Sequence, residues 1–217
     1  MTATTRLILV RHGESQVTVD RIIGGDLTCS GLSELGRLQT EALRDRLISD
    51  PIAIDAFGSS TMPRALETAK ILQSALPHLD LFEDFDLVEH RPGEADGLPF
   101  ADYDGKYGAF DLAAEPFRPL APGAESLAGF HHRAGTALHR VVRENAGQTV
   151  FITCHGGVID VALRSFLGLA LIPTFELHTL NTSLTELSKS EGAKRWKLVR
   201  YNDSAHLAGL PVATNLS

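Results

Sequence analysis

Short apolar runs alternate along this chain with longer segments whose apolar residues recur at helical spacing, and that alternation leaves few folds open. Residues 6–10, RLILV, read as a buried strand: short, apolar and sharply bounded. From Gly31 to Leu47 the residues Leu35, Leu38, Ala42, Leu43 and Leu47 mark one face of a helix, and Pro51 ends that unit. IDAFGSS, 54–60, reads as a second strand. The helix expected after it, in TMPRALETAKILQSAL, has Thr61 as cap and Pro63 in its first turn, where proline is favoured. LDLFEDFDLVEH, 79–90, is ambiguous by period and is expected to contain a strand. Within 124–146, Leu127, Phe130, Ala134, Leu138, Val141 and Val142 share a helical face, with Gly147 as a natural stop. TVFIT, 149–153, is another strand. GVIDVALRSFLGL is a helix closed by Gly168, and TSLTELS and RWKLVRY alternate like paired strands.

Strands and helices in this order predict an α/β fold, a three-layer α/β/α sandwich around a central, mostly parallel sheet. The chain of 217 residues shows no repeat and no linker, so 1–217 is expected to be one domain. Its irregular part is 95–122, rich in Pro, Gly and Asp. Phe100, Tyr103, Tyr107, Phe110 and Phe117 crowd into that stretch, which is read as an ordered flap or cap-like insertion.

Composition excludes several classes. The net charge of −7 speaks against nonspecific nucleic-acid binding, which needs basic patches. No run reaches membrane-spanning length, and the N-terminal apolar run is too short for a signal peptide. Two cysteines, Cys29 and Cys154, make no disulfide framework. A cytoplasmic location is expected, with no membrane and no nucleic acid as partner. The oligomeric state is left open, a homodimer being one option.

Ligands of open α/β sheets bind beyond the carboxyl ends of the strands. Two strands end there in His-Gly: LILV runs into Arg11-His12-Gly13, and VFIT into Cys154-His155-Gly156-Gly157. Side chains alternate along a strand, so Arg11 and His12 reach one pocket only if the chain bends on leaving the sheet, and Gly13 is expected to allow that bend. Gly156 and Gly157 precede a helix, where their N–H groups could face an anion. Arg64 follows Pro63 in a first helical turn, against the preference of the helix dipole, which suggests a bound anion. Taken alone, Arg64 could equally be a surface arginine paired with Glu67. Cys154 is expected to be a buried, inert thiol, and His131, His132 and His139 to be ordinary helix positions rather than metal ligands.

The segments LVRHGES, SSTMPRALETA, LVEHRPGEADG, PGAES and CHGGVID, with LNTSLTEL and NDSAHL near the end, resemble in order the motifs of the histidine phosphatase superfamily, the phosphoglycerate mutase-like group. The resemblance covers nearly the whole chain and implies a phosphoglycerate mutase-like fold. It implies a metal-independent phosphatase, a phosphoric monoester hydrolase that attacks a small phosphomonoester through a phosphohistidine on His12. Arg11, Arg64 and His155 match the phosphate clamp, and Glu89 matches the general acid, since Gly156 stands where other members carry Asp. Substrate binding is expected from Arg11, Ser15, Thr18, Gly24, Arg64, His155 and Gly156, with no metal and no cofactor.

Chemistry supports that assignment. Phosphoryl transfer needs positioning and charge stabilisation above all. Two guanidiniums match phosphate oxygens, and a protonated second imidazole would add charge. His12 must be neutral at the attacking nitrogen, with its other nitrogen donating a hydrogen bond. Glu89 must start protonated to release an alcohol and then serve as base for water. Thr18 and Ala95 stand where many members carry Asn and Trp, which puts the substrate in question. Two alternatives remain open. A phosphoglycerate mutase is disfavoured by the short span from Glu89 to Gly123. A catalytically weak phospho-ligand binder would not need Glu89.

Overall fold

The computed structural model describes residues 3–211, apart from Phe110, Ala113, Pro173 and Thr174. Its elements are β1 (Thr4–Arg11), α1 (Gln16–Val19), α2 (Glu34–Ser49), β2 (Ala56–Ser60), α3 (Pro63–Leu72), β3 (Leu81–Asp84), α4 (Phe100–Tyr107), α5 (Leu127–Glu144), β4 (Thr149–Cys154), α6 (Gly156–Leu167), β5 (Leu184–Ser190) and β6 (Lys197–Asp203). They form one six-stranded sheet in the order β3-β2-β4-β1-β5-β6. β3, β2, β4 and β1 are mutually parallel. β5 runs antiparallel to β1, and β6 antiparallel to β5.

The alternation of β1 explains the layers. Leu7 and Leu9 pack with α5 and α6, whereas Ile8 and Val10 pack with α2 and α3. All four are fully buried, each stabilising the fold by about 1.5–3 kcal/mol. The sheet is thus covered on both faces, as expected. β1 and β4 lie side by side in its centre, Arg11 opposite Cys154, so their carboxyl ends deliver His12 and His155 to the same place.

Local signals hold at several helix ends. Ser33 and Ser126 accept hydrogen bonds from the Gly36 and Gly129 amides at the starts of α2 and α5. Gly168 closes α6 at φ 70°, the left-handed conformation glycine adopts freely. Thr61 is not the cap of α3. Met62 occupies that position, and the hydroxyl of Ser60 accepts its N–H instead.

The 95–122 segment contains one helix, α4. Its Tyr103 and Tyr107 rings lie 5.5 Å apart, and the Tyr103 hydroxyl donates to the Leu120 carbonyl. Of the other aromatic residues in this stretch, Phe100 and Phe117 are 58% and 78% exposed, and Phe110 lies outside the described residues. The segment is tied to the loop before α2. The Gly97 amide donates to the Ile23 carbonyl, and the Ile23 amide donates to the Leu98 carbonyl. The Asp96 carboxylate accepts the amides of Gly25 and Leu27 at 2.9 Å. Among the described residues, no helix is long and apolar enough to cross a membrane.

Candidate active site

β1 ends at Arg11, and the His12 amide still bonds to the Cys154 carbonyl at 2.9 Å, so His12 is carried one step past the strand on a rigid mount. Gly13 is not there for a left-handed turn. A Cβ on it would lie 2.4 Å from the Gly36 carbonyl oxygen and 2.8 Å from the Thr40 hydroxyl, so glycine lets α2 close against the loop. The Gly13 amide donates to the Thr68 hydroxyl of α3 at 3.1 Å.

The His12 ring has a defined tautomer. Nδ1 lies 2.7 Å from the Gly13 carbonyl, an acceptor, so Nδ1 carries the proton. Nε2 then presents its lone pair, and the Nε–H of Arg64 donates to it at 3.0 Å. Burial, followed by the charges of Arg64 and Arg11, holds His12 well below the usual histidine range, against the pull of the Gly13 carbonyl. Arg64 is itself buried and also donates to the Gly24 carbonyl at 3.1 Å. The surface pairing with Glu67 does not occur: Glu67 binds Arg37 at 2.7 Å and the Leu32 amide at 2.8 Å.

Arg11 donates through Nη1 to the Thr179 carbonyl, while its Nε is buried without a partner. Burial lowers its pKa, opposed by the charge of Glu89 and reinforced by Arg64. His155 packs edge-on to His12 with ring centres 5.2 Å apart. Its Nε2 is 2.8 Å from the Ser60 hydroxyl, and its Nδ1 has no partner. The charged second imidazole expected from sequence is not favoured in this state. Burial, then Arg64, His12, Arg11 and Arg133, hold His155 well below the usual histidine range.

Glu89 accepts the His90 amide on Oε1 and the Gly157 amide on Oε2, both at 3.0 Å. The group that the Gly157 amide faces is therefore the protein's own Glu89 side chain. A Cβ on Gly157 would lie 2.2 Å from Glu89 Oε1, so glycine makes room for it. These groups border a cavity of about 450 Å³ whose wall includes Arg11, His12, Ser15, Thr18, Gly24, Arg64, Glu89 and Gly156. His155 is not part of that wall and has no exposed surface. Ser15 and Thr18 are joined through their hydroxyls at 2.9 Å.

Sequence reasoning singles out none of several supporting residues. Asn181 donates to the His12 carbonyl at 2.8 Å, and Thr182, at φ 55°, donates its amide to the Arg11 carbonyl at 2.8 Å. Arg133 binds the carbonyls of Asp86, Val88 and Glu89 and pairs twice with Glu125 at 2.7 Å. Asn181 and Glu125 stand within segments that carry the resemblance. Nothing local marks Arg133. Cys154 is fully buried, and burial pushes its thiol pKa up. A larger cavity of about 740 Å³ opens at the opposite end of the sheet, near Ala3, Gly147 and Glu191, away from these groups. Among the described residues, no group of three or more His, Cys, Asp or Glu side chains could hold a metal ion.

A family model described as histidine phosphatase superfamily (branch 1) matches residues 7–204. The chain belongs to that superfamily. Phosphoglycerate mutase-like protein 4 of Arabidopsis thaliana is 31% identical over 93% of this chain and 86% of its own length. The uncharacterised phosphatase PhoE of Bacillus subtilis is 27% identical over 94% and 98%. A solved mycobacterial glucosyl-3-phosphoglycerate phosphatase superposes with a TM-score of 0.79 at 26% identity, covering 92% of this chain and 99% of that one. The phosphoglycerate mutase-like fold and the enzyme class expected from sequence, phosphoric monoester hydrolase, are those of the phosphatases among these relatives.

Proposed function

We propose that this superfamily member hydrolyses small phosphomonoesters through a phosphohistidine on His12, without a metal or other cofactor. The observation that carries the reading is the His12 ring, with its proton placed on Nδ1 and its lone pair on Nε2 at the pocket wall. In this reading Nε2 attacks phosphorus and the P–O bond to the alcohol breaks. Arg64 turns from Nε2 to a phosphoryl oxygen, and the unpartnered Arg11 Nε–H takes another. The dianion restores favour to a protonated His155, whose Nδ1 lacks a partner. Glu89 gives a proton to the departing oxygen, then removes one from the water that attacks the phosphohistidine, returning His12 neutral.

The experiment is rapid quench with phosphoryl-labelled phenyl phosphate in excess EDTA. Label is expected on the protein, stable to base and lost in mild acid, with phosphate release undiminished. An acid-stable label, or activity that returns only with an added divalent metal, would overturn the reading.

A further inference from the structure

Beside the phosphate clamp, the pocket is lined by Ile22, Ile23, Pro92, Phe100, Leu120 and Leu177, together with the neutral polar residues Ser15, Thr18 and Thr179. Its charged side chains are Arg11, Arg64 and Glu89, accompanied by the histidines His12, His90 and His178. Burial lowers the pKa of His90, against the pull of Glu89 and Glu125. Elsewhere around the pocket Arg133 pairs with Glu125, Arg118 with Glu115 at 3.3 Å, and Arg91 stacks on the Phe85 ring at 4.4 Å, while Arg21, whose carbonyl accepts the Phe100 amide, is exposed and does not line the pocket. None of the residues outside the described set is Lys, Arg or His.

A carboxylate or second phosphate on the leaving group would therefore enter a pocket that already holds Glu89 and find, among the residues lining it, no permanent cation beyond the phosphate clamp. Burying a charge without a partner is strongly unfavourable. An alkyl or aryl group would instead displace water from Ile23, Leu120 and Leu177, which is favourable.

We propose that the site selects phosphomonoesters of uncharged, largely apolar alcohols and discriminates against esters whose alcohol carries a carboxylate or a second phosphate. The proposal rests on the hydrolase reading above and adds the substrate class to it. It runs against transferring the substrate in the mycobacterial neighbour's name, since glucosyl-3-phosphoglycerate bears a carboxylate.

Phenyl phosphate against 4-carboxyphenyl phosphate, and glycerol 3-phosphate against 3-phosphoglycerate, are matched pairs that isolate the charge. At pH 8, where ordinary histidines are neutral, kcat/KM is expected to be at least about 10-fold lower for each carboxylate, the scale of one unsatisfied buried group. Leu177→Arg, which puts a permanent cation into that lining, should narrow the gap by raising kcat/KM for the carboxylated members and lowering it for phenyl phosphate. Equal or better turnover of the carboxylates overturns the specificity and leaves the hydrolase reading standing. Calorimetric binding of both phenyl esters to His12→Ala reads the preference separately. If the wild-type protein turns over neither ester, the hydrolase reading fails, and the order of binding still decides the specificity.

Discussion

Arg64 and His12 face each other nitrogen to nitrogen, Nε–H to Nε2, at 3.0 Å. The contact holds the Nε2 lone pair in place and keeps a guanidinium within reach of whatever atom approaches it. Arg64→Lys keeps a charge but loses the planar fork. Removing one preorganised donor typically costs about 10²–10³ in kcat, and that loss is the expectation here. Steady-state kinetics on p-nitrophenyl phosphate measure it. A variant within about 3-fold of wild type would mean that Arg64 does not stabilise the transferring group, because the loss of such a donor would have to show as a far larger drop.

His12→Ala should abolish both turnover and protein labelling. The measurement is phosphate release over hours at high enzyme concentration. Substantial residual turnover would show that another residue is the nucleophile.

Glu89→Gln keeps the shape of the side chain but cannot give up a proton. On an alkyl phosphate the loss should be about 10²–10⁴-fold, the usual worth of general acid–base help. On p-nitrophenyl phosphate, whose leaving group barely needs protonation, it should be much smaller. Gly157→Ala should show the same contrast, because its Cβ would take the space of Glu89 Oε1, 2.2 Å away. Equal losses on both substrates would reduce Glu89 to a positioning role.

The fold is largely legible in the sequence because β1 and β4 are short, apolar and buried on both faces, so period and burial agree. That His12, Arg64 and Glu89 share one pocket is legible because the motifs that resemble a family lie in continuous segments. The positions that sequence misreads depend on contacts between segments. Gly13 reads as a hinge, whereas its neighbour is the Gly36 carbonyl of α2. His155 reads as a source of positive charge, yet burial, and then arginines brought from β1, α3 and α5, lower its pKa. Arg133 escapes notice because its partners, Asp86, Val88, Glu89 and Glu125, are joined to it only by folding, and three of them bind through backbone carbonyls that any residue supplies.

Stability should fall on the acid side of pH 6.5. Burial, then the charge of Arg46, lowers His206 from 6.5 to about 4, with Asp203 pulling the other way. Between those pH values the unfolded chain binds the proton and the folded chain does not, so stability rises with pH. The cost is at most about 1.4 kcal/mol per pH unit for one such group, and His12 and His155 shift in the same direction. Asp203 has the opposite requirement: it is held at about 2 by hydrogen bonding to Arg46, so its contribution is present above the usual 3.8 and lost from there down to about 2. Thermal melts from pH 7 to pH 4.5 should therefore show a decline, and His206→Gln should flatten part of it. A melting temperature that is constant across that range contradicts the burial of these imidazoles as neutral groups.

Arg133 should act on catalysis through Glu89 without touching substrate. Its guanidinium bonds to the carbonyls of Asp86, Val88 and Glu89 at 2.8–3.1 Å, fixing the backbone that carries Glu89. Glu125 holds the guanidinium bidentately and also accepts the Arg91 amide at 3.1 Å, tying the far side of the same loop. Burial works to raise the Glu125 carboxyl, but hydrogen bonds from Arg133 and the Arg91 amide, with both arginine charges, outweigh it and hold it below the usual range. Lysine cannot span these acceptors, because its donors sit on one atom. Arg133→Lys should lower the melting temperature and loosen the loop, and small misplacements of a reacting group cost up to about 10²-fold. The loss should fall mainly on alkyl phosphates, as for Glu89→Gln, and the two substitutions combined should be little worse on them than Glu89→Gln alone. Glu125→Gln should show the same substrate contrast in weaker form. If Arg133→Lys instead lowers turnover of alkyl and nitrophenyl phosphates equally, in step with its melting temperature, then Arg133 supports the fold and has no specific hold on the acid.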